Sequence, residues 1–166
     1  MSDVLCVYYS RSGNTKTAME EVARALDAEL VALDDGVDRS GLRGYLRSGR
    51  DAMRKATRAL APVETKKPLS EYSLIIIGTP VWAGRCASPV RGYLKRRGLE
   101  MDRLAYLLTR SSTNNRYESV YHQMDMYTAQ PHLFEVSLQP GSEGYDFWRD
   151  QFISDIKRYL EQNHAG

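Results

Sequence analysis

The chain has 166 residues, of which 42% are hydrophobic and 27% charged, and its formal net charge at pH 7 is +2. This composition excludes a disordered chain, and the length suits a single domain over residues 1–166 with a full-sized core. No apolar run reaches the length of a transmembrane helix and the first residues lack a signal-peptide pattern, so we expect a cytoplasmic protein with no membrane association.

The cysteines and histidines do not indicate a metal site. Cys6 and Cys86 lie far apart in the sequence, and we expect both to be reduced thiols. His122, His132 and His164 are scattered without the spacing of metal ligands, so we interpret them as surface or structural residues. No metal is therefore expected.

The first element is a buried strand that leads directly into a polar loop and a helix. Val4–Tyr9 is a short apolar run typical of a strand, and the apolar spacing over Thr15–Asp27 predicts an amphipathic helix. The loop between them carries hydroxyl groups and one glycine, Gly13, beside the unpaired N–H groups of a helix N-terminus. This arrangement can bind a phosphate. A polar loop that only caps the helix is the alternative.

The rest of the chain continues the alternation of strands and helices. Four further strands are predicted over Glu29–Leu33, Leu74–Gly78, Leu104–Leu108 and Leu133–Leu138. Four further helices are predicted over Leu42–Leu60, Pro89–Gly98, Tyr117–Met124 and Tyr145–Gln162. An apolar stripe along the second helix is formed by Leu42, Tyr45, Leu46, Met53, Ala56 and Leu60. This order predicts an α/β protein with a doubly wound five-stranded parallel sheet and helices on both faces.

The loops after the first, third and fourth strands form the candidate binding site, because ligands of doubly wound sheets bind beyond the carboxyl ends of the strands. The loop Thr79–Arg85 contains Trp82, which we expect to be exposed and to offer a flat face to a planar ring. Packing of Trp82 onto its own helix is the alternative. The loop Thr109–Asn115 adds hydroxyl and amide groups for a polar ring edge. Phosphate, ring and polar edge together describe a mononucleotide of the size of FMN.

Two segments resemble the flavodoxin family. YYSRSGNTK, residues 8–16, is similar to the phosphate loop of that family, and TPVWAGRCASPVRGYL, residues 79–94, is similar to its second flavin-contacting loop and the following helix. The resemblance covers nearly the whole chain. It implies a flavodoxin-like domain of the short-chain type with an enlarged second helix, the strand order 2-1-3-4-5 and noncovalently bound FMN.

The resemblance also implies which residues bind the cofactor. The resemblance assigns binding of the phosphate group to Ser10, Arg11, Ser12, Gly13, Asn14 and Thr15. It assigns contact with the flavin ring to Pro80, Val81, Trp82, Ala83 and Gly84, with Trp82 stacking on the ring. The third loop contributes Arg110, Ser111 and Asn114, but departs from the glycine or aromatic residue that the family commonly has there. Tyr117 is a candidate to cover the second face of the ring.

The basic residues suggest two roles. Arg85 and Arg110 lie in the predicted ring loops, and cations there would favour the anionic reduced flavin unless their side chains point into water. Arginines also recur every three or four residues along the second helix, at Arg39, Arg43, Arg47, Arg50, Arg54 and Arg58. We expect either a solvated face or an acidic redox partner protein that docks near Arg43, Arg47 and Arg50. Nucleic acid is not expected.

Other chemistries on this topology find no support in the residues. Ser12 stands where a phosphatase loop beginning at Cys6 would need arginine, and Gly78 and Thr79 stand where a receiver domain would need aspartate. The sequence contains no Walker loop, dinucleotide fingerprint or esterase elbow. We name no catalytic acid, base or nucleophile.

Two functions of a flavin-binding chain stay open, as does loss of the cofactor. The first is electron transfer between protein partners by a monomer or homodimer. The alternative is an oxidoreductase in which FMN accepts hydride from NAD(P)H and reduces a quinone, for which the small side chain of Ala83 leaves room over the ring. Because no nicotinamide motif is visible, the sequence favours the carrier and leaves enzymatic activity undecided.

Overall fold

The structure is a computed structural model that describes residues 3–37, 39–53 and 60–165. Its strands are β1 (Val4–Tyr8), β2 (Glu29–Ala32), β3 (Leu74–Trp82), β4 (Arg85–Cys86), β5 (Leu104–Thr109) and β6 (Phe134–Leu138). Its helices are α1 (Asn14–Leu26), α2 (Gly41–Met53), α3 (Ser88–Arg97), α4 (Ser119–Asp125) and α5 (Tyr145–Ala165). Short 3₁₀ turns cover Leu69–Glu71 and Gly98–Glu100.

Five of the strands form a parallel sheet in the order β2-β1-β3-β5-β6. The two-residue strand β4 lies off this path and pairs antiparallel with β3. The predicted doubly wound sheet with the order 2-1-3-4-5 is therefore confirmed. The carboxyl ends of the three central strands are level, because Tyr8 lies opposite Gly78 and Pro80 opposite Thr109.

Both faces of the sheet are covered, because β1 and β5 are apolar runs buried at every position and β3 is buried from Leu74 to Thr79. Alternate side chains of β1, such as Leu5 and Cys6, belong to two separate core clusters. One cluster packs against α3 and α4, and the other against α1 and α5. Close packing of α1 requires Gly78, since a Cβ there would lie 2.5 Å from Cγ of Met19.

The third strand extends past its predicted end at Gly78. It pairs with β5 as far as Pro80 and continues to Trp82, and the chain then turns back into β4. Ala83 and Gly84 form the turn with φ values of 51° and 73°, which is the type I′ geometry of two-residue hairpins. The prediction of an irregular loop over Thr79–Arg85 was thus wrong, because pairing with β5 and β4 keeps most of this segment extended.

Helix α2 does not pack with the face that the apolar stripe predicts. Its buried positions include Gly44, Ser48 and Ala52, whereas Tyr45 and Met53 are 61% and 68% exposed. Its buried face instead contacts a polar residue, since a Cβ on Gly44 would lie 1.9 Å from the backbone carbonyl carbon of Arg39. Leu60, the predicted end of this helix, is not helical and packs, partly buried, against the core cluster on the α3–α4 side. Ala56, Arg54 and Arg58 fall in residues 54–59, which lie outside the described residues, as does the side chain of Leu42.

The described residues contain no group of three or more His, Cys, Asp or Glu side chains that could hold a metal ion. Cys6 and Cys86 are buried free thiols, and burial raises their pKa values to about 12 and about 11. Within residues 3–37, 39–53 and 60–165, no helix has both the length and the apolar character needed to cross a membrane.

Candidate functional site

A cavity of about 880 Å³ lies where the central strands of the sheet end. Its walls come from the loop after β1, from α2, from the β3–β4 hairpin and from the segments that follow β5 and β6. Ten predicted site residues line it, namely Arg11, Ser12, Asn14, Thr15, Pro80, Val81, Trp82, Ala83, Arg110 and Ser111. Ser10, Gly13, Gly84 and Asn114 are not among the described residues that line it. The three predicted loops therefore meet at one place.

The loop after β1 is shaped to leave the N-terminus of α1 open. Gly13 is the N-cap, with φ 101°, and glycine has no side chain that could cap the first turn. Its N–H donates a hydrogen bond to Oγ of Ser10 over 3.0 Å, so Ser10 shapes the loop. A Cβ on Gly13 would meet no described atom within 4 Å. The space beside the first-turn N–H groups can thus receive an anion.

The start of α1 is also fixed to the centre of the sheet. The buried hydroxyl oxygens of Thr15 and Thr109 are 2.7 Å apart and share a hydrogen bond. This contact joins the first turn of α1 to the carboxyl end of β5. Thr109 lines the cavity as well, although the sequence indicated it only as the first residue of a polar loop.

Trp82 is buried at the cavity wall rather than exposed. Its exposed fraction is 6%, and its ring meets the ring of Tyr9 edge-on, with centroids 5.5 Å apart and an interplanar angle of 87°. The guanidinium of Arg39 lies over the indole at 4.7 Å from the ring centroid. The prediction of an exposed tryptophan was wrong, because Arg39 and Tyr9 enclose the ring. Trp82 nevertheless lines the cavity.

Arg39 is the centre of a buried polar network beneath α2. Its Nη2 is 2.8 Å from Oδ2 of Asp35 and 3.0 Å from Oδ2 of Asp51. Its guanidinium also donates to the hydroxyl oxygens of Ser48 and Ser88. Burial lowers the pKa of Arg39, but hydrogen bonds and ion pairs with the two carboxylates raise it above its ordinary value. Arg39 therefore does not belong to the exposed basic stripe, contrary to the prediction.

The segment after β5 is braced by the end of β6. Nε of Arg110 donates to Oγ of Ser137 over 2.8 Å, and its Nη1 donates to the backbone carbonyl of Ser112. Gln139 donates to the backbone carbonyl of Ser111 over 3.0 Å. Burial, followed by the charge of Arg116, lowers the pKa of Arg110. The side chain of Arg110 is thereby fixed at the cavity wall.

Two sequence-based assignments near this segment do not reach the cavity. Tyr117 packs against the core cluster on the α3–α4 side and is not one of the described lining residues. Arg85 pairs opposite Trp82 in the hairpin and is likewise absent from the described part of the lining. Of the two arginines expected at the ring, only Arg110 lies at the cavity.

Several lining residues escaped the sequence analysis. One face of α2 supplies Tyr45, Leu46, Gly49, Arg50 and Met53, and the chain after β6 supplies Gln139 and Pro140. The helical spacing of the apolar residues on α2 was visible, but it predicted contact with the core instead of a cavity. The only sequence signal for Gln139 and Pro140 was their position directly after the last predicted strand.

The cavity is basic. Arg11, Arg50 and Arg110 line it, and none of the described lining residues is acidic. The guanidinium of Arg11 lies over the ring of Tyr45 at 5.5 Å from the centroid, on the side of α2. Several cations, with no carboxylate among the described lining residues, favour anionic ligands.

The fold has close counterparts among solved structures. A flavoprotein from Lactobacillus acidophilus in complex with FMN superposes with a TM-score of 0.68 at 23% identity, over 89% of this chain and 99% of that chain. The chain has a flavodoxin-like fold. An archaeal flavodoxin gives a TM-score of 0.56 at 12% identity, over 93% of this chain and 96% of that one. Flavodoxin-like proteins are thus its structural neighbours along nearly its whole length.

Similarity to curated proteins covers a shorter stretch. Over 106 residues the chain is 31% identical to an NAD(P)H dehydrogenase (quinone) of Paracoccus denitrificans, which covers 59% of this chain and 46% of that protein. Over 104 residues it is 33% identical to an NAD(P)H dehydrogenase (quinone) of Trichlorobacter lovleyi, covering 59% and 49%. The chain spans about half the length of the curated relatives it matches. No family model matches the chain.

Proposed function

We propose that this protein binds FMN in the cavity and acts as an oxidoreductase that transfers electrons from NAD(P)H to a quinone-type acceptor. The observation that carries the proposal is the cavity of about 880 Å³. The open N-terminus of α1 lies in one part of its wall, and the apolar face of α2 lies in another. Pockets for small molecules and cofactors usually have volumes of about 300–1,000 Å³, so this one is large. It has room for a planar acceptor beside a mononucleotide.

The residues present fit FMN. The first turn of α1, with Ser12, Asn14 and Thr15 at the cavity, would hold the phosphate. The hairpin residues Pro80 and Ala83 belong to the part of the cavity wall against which the flavin ring would lie. Solved neighbours include a flavoprotein in complex with FMN, which supports the assignment.

Bound FMN would supply the redox chemistry, and the protein would bind, orient and shield it. The overall reaction converts NAD(P)H, a proton and a quinone into NAD(P)⁺ and a hydroquinone, so that two electrons and two protons reach the acceptor. The names of the curated relatives support this class of reaction. The chain's own part is to hold the phosphate at α1 and to fix the cavity wall through the Arg39 network beside Trp82.

Electron transfer between protein partners is the second candidate function. It is favoured by the exposed arginines Arg43 and Arg47 on α2, next to the cavity residue Arg50, since an acidic partner would be attracted there. In that case FMN would exchange electrons with a docked protein and would not need a nicotinamide to enter.

Cofactor binding is tested by comparing FMN with riboflavin, which lacks the phosphate. Two charge-assisted hydrogen bonds to the phosphate are worth about 3 kcal/mol or more, so FMN should bind at least about 100-fold more tightly. Ser12→Ala should weaken FMN binding and leave riboflavin binding unchanged. Equal affinities for the two flavins, measured by fluorescence titration, would contradict the phosphate site.

The two functions are separated by anaerobic stopped-flow mixing of the FMN-loaded protein with NADPH. Rapid bleaching of the flavin absorbance by NADPH alone, followed by recovery on addition of a quinone, is expected for the oxidoreductase. A flavin that stays oxidised with NADPH but is reduced by dithionite would favour the carrier.

A further inference from the structure

One face of α2 has the properties of a ligand surface within the cavity. Tyr45, Leu46 and Met53 line the cavity, and their exposed fractions are 61%, 61% and 68%. Tyr45 and Leu46 are adjacent, and Met53 lies about two helical turns after them, so the three side chains form one apolar strip. The helix packs on the protein through other positions, such as Gly44 and Ser48. The apolar strip is therefore available to a bound molecule.

Positive charge accompanies the apolar strip. Arg50 lies on the same helix face, one turn after Leu46, and also lines the cavity. Arg11 is held on this side as well, since its guanidinium lies over the ring of Tyr45 and its Nη1 donates to the backbone carbonyl of Arg39 over 3.4 Å. No ion pair joins Arg50 to another described residue, and the described lining residues include no carboxylate.

We propose that the strip formed by Tyr45, Leu46 and Met53 binds the electron acceptor, and that Arg50 selects an acceptor with an anionic substituent. The acceptor class is a planar quinone with a carboxylate or sulfonate group. This inference rests on the proposed function, because the acceptor must lie against bound flavin to receive electrons. The apolar strip would contact the ring of the acceptor, and Arg50 would pair with its charge.

The flavin phosphate does not account for the charge of Arg50. That phosphate is assigned to the first turn of α1, where backbone N–H groups and the residues Ser12 and Asn14 are available. A neutral quinone would need no cation beside the apolar strip. The phosphates of NADPH are the other possible source of an anion, and the kinetic constants for NADPH distinguish this case.

The test compares 1,4-naphthoquinone with 1,4-naphthoquinone-2-sulfonate on the FMN-loaded protein. We expect a lower KM and a lower dissociation constant for the sulfonate, the latter measured by equilibrium dialysis on the oxidised protein. Arg50→Gln should raise both constants for the sulfonate by about fivefold, as expected for one partly exposed ion pair, and should leave the neutral quinone unchanged. Leu46→Asn should weaken the binding of both quinones.

Arg24→Gln is the matched control, because it removes the same charge from an exposed position of another helix. It should leave the preference for the sulfonate unchanged. An unaltered preference in Arg50→Gln, or an increase in the KM for NADPH alone, would overturn the acceptor site while FMN binding and reduction stay intact. Failure of the protein to retain FMN, or to be reduced by NADPH, would instead overturn the proposed function on which the inference rests.

Discussion

Replacing Arg39 by methionine should destabilise the protein strongly. Only 3% of Arg39 is exposed, and the side chains of its partners Asp35 and Asp51 are 2% and 4% exposed. Methionine keeps much of the volume of the side chain but leaves both carboxylates without this cation. Removing one partner of a buried ion pair costs about 3–5 kcal/mol. That is a large part of the roughly 5–15 kcal/mol that stabilises a typical domain.

Urea denaturation of the FMN-free protein measures this effect. With a denaturant slope of roughly 2 kcal/mol per molar, a loss of about 4 kcal/mol lowers the midpoint by about 2 M. Because Arg39 also covers the ring of Trp82, the near-ultraviolet circular dichroism of the folded variant should change as well. Arg47→Met on the exposed side of α2 is the control, and its effect should stay within about 0.5 kcal/mol.

A second set of variants keeps the test decisive if Arg39→Met does not fold. Asp51→Asn leaves the arginine paired with Asp35 and should cost less. Arg39→Met in the Asp51→Asn background should then cost less than in the original protein, since one buried charge is already gone. The network would not be a major source of stability if Arg39→Met cost no more than Arg47→Met, or if the two substitutions were additive.

Three further predictions concern the turn, a histidine and the flavin. Ala83→Gly should stabilise the FMN-free protein by about 0.5–1 kcal/mol in thermal melts, because Ala83 has φ 51°. The control Ala61→Gly should not, because Ala61 is an exposed residue whose φ is not positive. Burial lowers the pKa of His132, but Glu135 and Asp125 raise it above its ordinary value of 6.5. The charged form thus stabilises the fold at lower pH, and the advantage over His132→Gln in urea should shrink as the pH rises through the raised pKa; a difference independent of pH would contradict this. Arg110→Ala should make the two-electron potential of bound FMN more negative by roughly 20–60 mV in a redox titration, and Arg85→Ala, away from the cavity, should leave it unchanged.

The loop after β1 and the strands were predictable because their signals are local. Val4–Tyr8 is a continuous apolar run, and the loop to α1 carries Gly13 where the backbone needs φ 101°. Alternation of strands and helices then leaves few topologies, since crossovers between parallel strands are right-handed. These features alone predict that three loops lie at one edge of the sheet.

Helix α2 shows why the site was only partly predictable. Apolar residues at helical spacing reveal that a helix has a distinct face, but they do not reveal what that face contacts. Tyr45 and Met53 border a cavity because the space beneath the helix is filled by Arg39 with Asp35 and Asp51. The regular arginine spacing concealed this, since Arg39 matches the exposed arginines in sequence but not in environment.

The sequence by itself determined the α/β order and the polar loop after β1, because each depends on neighbours within a few residues, and its resemblance to the flavodoxin family implied the strand order. The tertiary structure alone decided that Trp82 is enclosed, that Arg39 is buried and that the apolar face of α2 borders the cavity. Burial and charge pairing are set by residues distant in the chain, and the low dielectric of the interior makes those contacts decisive.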